Sequence, residues 1–174
     1  MRALVTIVSI ALILAFVGGC GCRKSREEKA EDILLKHSSS KEEISELAKK
    51  GVSHLAKLLE SKSSRTRMAA ITALGEIKDN PEATRLLVKA TESENDSDVY
   101  FALIALANQG AAEAKALIER FFTHENPYFR EAACHAIGVY GDKDLYPLLD
   151  KAMRDPVPTV GSAASLVKKK HGIK

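Results

Sequence analysis

From residue 41 onward, apolar residues recur at intervals of three and four, and short polar or proline-bearing turns break the series. That interval is the signature of amphipathic helices. No run alternates at period two over a useful length, so no sheet is expected. Ser40 followed by Glu43 is a capping box that opens a helix over residues 41–50, and Gly51 closes it. Pro81, Pro127, Pro147 and Pro158 fall at or near the start of a predicted helix, where a missing N–H costs nothing.

The helices form a repeat. With Arg67, Tyr100, Arg130 and Gly161 taken as equivalents, the spacings are 33, 30 and 31 residues. Two positions later every copy has alanine: Ala69, Ala102, Ala132 and Ala163. Seven positions later stand Leu74, Ala107 and Ile137, and eight later Gly75, Asn108 and Gly138, read as helix-ending residues. Twelve positions earlier stand Leu55, Val88, Ile118 and Leu149. Each unit therefore reads as helix, short turn, helix. The second copy matches least well upstream, because Glu94, Asn95, Asp96, Ser97 and Asp98 make its turn polar.

Arg67-Met68-Ala69-Ala70-Ile71-Thr72-Ala73-Leu74-Gly75 and Arg130-Glu131-Ala132-Ala133-Cys134-His135-Ala136-Ile137-Gly138 carry a resemblance. The chain resembles the HEAT-like repeats, in particular the short alanine-rich version of the phycobilin-lyase type, over roughly residues 51–172. The resemblance implies an all-α, right-handed solenoid of about four hairpins (residues 51–174); ahead of it, residues 31–50 read from their own pattern as an N-terminal helix pair that begins the stack. It implies that Arg67 and Arg130 are structural, each bonding to a carboxylate or carbonyl at the turn of a neighbouring unit. It also places the second helices on the concave side. The positions one and five after the arginine site then face away from the core: Met68 and Thr72, Phe101 and Ala105, Glu131 and His135. Met68 and Phe101 would be neighbouring exposed apolar side chains, as at a protein-binding surface. A terminal repeat has no neighbour beyond it and needs a polar outer face, which Lys168, Lys169 and Lys170 supply.

The first nineteen residues read as an address. Arg2 is followed by an apolar run over residues 3–17, then Gly18, Gly19 and Cys20. A positive start, a short apolar region and small residues mark a signal peptide. Val17-Gly18-Gly19-Cys20 resembles the lipobox of bacterial lipoproteins. That implies lipidation of Cys20, cleavage before it, and an anchor of acyl chains such as palmitate. Two or more chains anchor stably at about 0.8 kcal/mol per buried methylene. Residues 20–30 read as a polar tether. Gly21 is not the aspartate associated with inner-membrane retention, which points mildly to an outer membrane. The expected location is the cell membrane or outer membrane of a bacterium, on its periplasmic or extracellular side.

Composition and charge change little. The net charge of +3 falls to +2 without Arg2 and gives no reason to expect nucleic acid. Among the histidines at 37, 54, 124, 135 and 171, no two stand at i, i+4, so no metal site is expected. Cys134 and His135 are adjacent, so their side chains point about 100° apart on a helix; a core thiol is expected rather than a nucleophile. Asp144 is expected to cap the next helix rather than bind calcium. No catalytic residue and no cofactor is expected. The function that follows is a protein-binding or scaffold lipoprotein of the cell envelope. The alternatives are an enzyme or chromophore-lyase-like factor, or a structural spacer.

Overall fold

The computed structural model describes residues 40–174. The signal peptide, Cys20, the tether over residues 20–30 and the first helix of the expected N-terminal pair lie outside the described residues. Those described are helical throughout, with no strand among them. In chain order the helices are α1 (Lys41–Lys49), α2 (Val52–Leu58), α3 (Ser64–Glu76), α4 (Pro81–Ala90), α5 (Asp96–Gln109), α6 (Ala112–Phe122), α7 (Pro127–Tyr140), α8 (Tyr146–Ala152) and α9 (Pro158–His171), with a 3₁₀ turn at Lys143–Leu145 before α8.

Side chains at the turns set the helix starts. The Ser40 hydroxyl accepts from Glu43 N at 3.3 Å, and Glu43 Oε2 accepts from Ser40 N at 3.4 Å. Ser63, Asn80, Asn95 and Asn126 each cap the helix that follows by accepting backbone N–H bonds. Pro81, Pro127 and Pro158 are the first residues of α4, α7 and α9.

Pairs α2/α3, α4/α5, α6/α7 and α8/α9 are four successive hairpins, and the second helices stack in the order α3, α5, α7, α9, with α1 against α3. This is the expected α-solenoid. Ala69, Ala102, Ala132 and Ala163 are all buried; a methyl-sized side chain at that level lets the rods close together.

The glycines act differently from the sequence reading. Gly75 and Gly138 lie inside α3 and α7, which run on to Glu76 and Tyr140. A Cβ on Gly75 would meet Ala105 Cβ at 2.9 Å and its Cα at 3.0 Å, and one on Gly138 would meet Val167 Cγ1 at 2.6 Å. These two glycines admit the next unit's helix rather than end their own. The left-handed helix ends are Gly110 (φ 70°), Gly141 (φ 75°) and Gly172 (φ 63°).

There are two apolar cores. One gathers Leu55, Ile71, Leu74, Leu87 and Leu106; the other gathers Ile118, Phe121, Ile137, Leu149 and Val160. Helix α5 belongs to both, sending Ala102, Ala105 and Leu106 into the first and Val99, Leu103 and Ala107 into the second. A helix covered on both sides loses its polar face, which is why α5 is apolar nearly all round.

Candidate functional site

The second helices carry the residues singled out for binding, and their positions differ from one another. Met68, Thr72, Phe101, Glu131 and His135 are half-buried rather than open. The Thr72 hydroxyl donates back to Met68 O at 2.8 Å. Phe101 rests on the first core and meets Tyr100 edge-on, with ring centroids 5.5 Å apart. Ala105 corrects the expectation of an outward position: it is 5% exposed and lies against Gly75, whose missing Cβ lets α5 come close to α3. The large apolar side chains that stand open are Val139, Met153 and Leu166. The last two are on the terminal hairpin. Leu166 is five positions after Gly161, the level of Thr72 and His135.

A row of aromatic side chains joins the middle units, and the periodicity did not announce it. Tyr100 stacks on Tyr128 (centroids 4.8 Å apart, planes 30° apart), and His135 lies 6.2 Å from Tyr100. Burial pushes the Tyr100 phenol up to about 12, and Glu131, Tyr128 and Cys134 add to the shift. His135 Nε2 is 4.0 Å from Glu131 Oε1. Burial lowers the His135 pKa, Glu131 opposes the shift and Lys170 adds to it.

Arg67 and Arg130 each bond two turns. Arg67 Nε donates to Asp98 Oδ2 at 2.7 Å in the next unit, and Nη1 donates to Ser61 O at 2.9 Å in its own turn. Arg130 is bidentate on Asp155, with Nε to Oδ2 at 2.8 Å and Nη2 to Oδ1 at 2.9 Å; its Nη1 donates to His124 O and Glu125 O, both at 2.8 Å. Arg130 holds the Asp155 carboxyl below the usual range, although burial opposes it. At the middle junction the same job falls to Tyr100 and Tyr128. Asp98 and Tyr128 both stand two positions before their unit's reference residue, so the strut changes chemistry while keeping its place.

Cys134 is fully buried, and burial pushes its thiol up to about 12, with Asp155 and Glu131 adding to the shift. A thiol in that state is no nucleophile at neutral pH. Asp142, not Asp144, caps the start of the last unit, accepting from Asp144 N at 3.0 Å. The shorter step into a 3₁₀ turn puts Asp144 inside it. Lys115 Nζ donates to Asp142 at 2.7 Å and to Asp144 at 3.3 Å, so both carboxylates of that turn face a lysine. Lys168 pairs with Asp150, whereas Lys169 and Lys170 are exposed. Among the described residues no group of three or more His, Cys, Asp or Glu is placed to hold a metal, and no helix is long and apolar enough to cross a membrane.

A family model for HEAT repeats matches the chain twice, over residues 30–107 and 100–167. The two matches divide the stack near α5, the helix that both cores share. No curated protein matches the sequence.

Proposed function

Because the chain belongs to the HEAT repeats, we propose that it is a non-catalytic scaffold of the bacterial cell envelope that holds a protein partner along its second helices. Lipid on Cys20, exposed by cleavage after residue 19, tethers it through residues 20–30. The observation that carries the binding reading is the half-open row of Met68, Phe101, Tyr100, Tyr128, Glu131 and His135. Aromatic and methionine side chains with part of their surface left over are the usual anchors of an interface. The anchor rests on sequence: a positive start, an apolar run and the lipobox-like Val17-Gly18-Gly19-Cys20. Gly21 after the cysteine favours an outer membrane where the cell has one.

The double substitution Met68→Glu with Phe101→Glu tests the surface. A lost cross-link to the partner in native membranes, with the melting temperature held, supports an interface. Lost stability makes both residues core, and no change in either leaves only a spacer. Cys20→Ser tests the address: the protein should leave the membrane fraction and stop incorporating labelled palmitate.

A further inference from the structure

Among the described residues three large apolar side chains stand open, and two of them share one place. Met153 (51% exposed), just past the end of α8, and Leu166 (57% exposed), on α9, line the same open cavity of about 540 Å³. The other α9 residues there include Gly161, Ser162 and Ser165. These are small, so the two apolar side chains rise above their surroundings.

Cations flank this pair. Lys169 lines the cavity, Lys170 stands four residues after Leu166 on the same side of α9, and Arg154 follows Met153. All three are exposed, and none is paired with a carboxylate among the described residues. The neighbouring acids are already taken. Asp150 pairs with Lys168, and Asp155, the one carboxylate in the cavity lining, is held by both arms of Arg130. Residues 141–174 carry seven Lys and Arg against four Asp, a formal +3, whereas residues 40–140 carry 13 basic against 15 acidic, a formal −2. Positive charge is therefore concentrated where the open apolar side chains are.

Apolar side chains flanked by unpaired long basic ones suit the headgroup boundary of a bilayer: the apolar groups enter it, and the cationic ends reach lipid phosphates. A protein partner fits less well. Two open side chains fall far short of the roughly 800 Å² that each side of a standard interface buries. We infer that this face of α8 and α9 docks on an anionic lipid bilayer, with Met153 and Leu166 at the headgroup boundary and Arg154, Lys169 and Lys170 on lipid phosphates. The contact is additional to the proposed anchor at Cys20 and uses none of its residues.

The chain has no tryptophan, so Leu166→Trp places a single fluorescent reporter on the face. The full chain is reconstituted into vesicles of phosphatidylcholine alone, or of equal parts phosphatidylcholine and phosphatidylglycerol, each with and without brominated acyl chains. In the anionic vesicles the emission should move to the blue and be quenched by bromine. In neutral vesicles both effects should be much weaker, and raised salt should reverse them. Lys169→Gln and Lys170→Gln should each lower the ratio of docked to undocked chains about fivefold, with the melting temperature unchanged. Should Leu166→Trp disturb the fold, Met153→Trp is the second reporter and should respond in the same way. Quenching that is absent from the anionic vesicles, or equal in both kinds and indifferent to the lysines, overturns the assignment. Two other outcomes also overturn it. A blue shift that grows with the protein-to-lipid ratio without quenching marks a second copy of the chain as the occupant. A blue shift with poly-glutamate but no quenching in the anionic vesicles marks an acidic peptide. Flotation with the neutral vesicles is scored separately; its loss counts against the Cys20 anchor and not against this face.

Discussion

The first and last junctions of the stack are held by an arginine and a carboxylate, the middle one by two tyrosines. Arg67–Asp98 and Arg130–Asp155 are ion pairs with side chains at most 16% exposed. Tyr100–Tyr128 is a stacked pair that also leans on the second core. Arg67, Tyr100 and Arg130 occupy the same level of the repeat, and Asp98 and Tyr128 share theirs, while Asp155 stands four positions earlier in its unit. What the level requires is a strut between one unit's second helix and the start of the next, and charge is only one way to build it. The ionic version also ties its own turn through the carbonyls of Ser61 and His124. Asn126 supplies a different tie at the middle junction, donating to Asp96 at 3.2 Å.

The largest expected effects come from breaking the ionic struts. Arg67→Met and Arg130→Met should each cost about 3–5 kcal/mol, because each leaves a buried carboxylate uncompensated. Arg67→Met should lie at the upper end. It leaves Asp98 with little beyond the Ser93 hydroxyl, whereas Asp155 keeps the N–H of Val157. Urea denaturation midpoints at constant slope measure both.

Next comes the middle strut. Tyr100→Ala should cost about 2 kcal/mol, less than a fully buried aromatic, since the ring is only half covered. A sharper measurement converts one strut into the other. Tyr100→Arg and Tyr128→Asp should each destabilise alone, and the double variant should recover at least about 1 kcal/mol relative to their sum. Simple additivity would show that the two kinds of junction are not equivalent.

A smaller effect follows from pH. Asp155 has a lowered carboxyl pKa in the fold, chiefly through Arg130. Its contribution is complete above the unfolded value of about 3.9 and is lost as pH falls through the lower folded value. Wild type should therefore lose stability in that window, and Arg130→Met should lose less; acid titration of the melting temperature compares them. Smallest of all is the exposed helix pair Arg85–Glu82, with side chains 65% and 53% exposed. Glu82→Gln should leave the urea midpoint unchanged within error.

Much of the fold was legible because the first helices are two-faced. Helices α4 and α6 put Leu87 and Ile118 inward and charge outward, so their period stands out in the sequence. The second helices were recognised by their alanines instead, since covering on both sides erases a polar face. The polar run at residues 94–98 looked like a poor copy of the repeat, yet it holds the cap Asn95 and the strut carboxylate Asp98. Neither partner of Arg67 nor that of Arg130 was readable, because Asp98 stands two residues before its unit's reference position and Asp155 six before. The role of Gly75 was misread for a related reason. Its meaning depends on how near Ala105 comes from 30 residues away in the chain, a distance that local pattern does not encode.

Helix α5 gives side chains to both cores, and this governs how the array comes apart. Solenoids of independent bricks fray from their ends, one brick at a time. Here neither half can melt without stripping one side of the rod they hold in common, so the cost of opening one is felt by the other. That sharing turns a linear row of parts into a single cooperative transition.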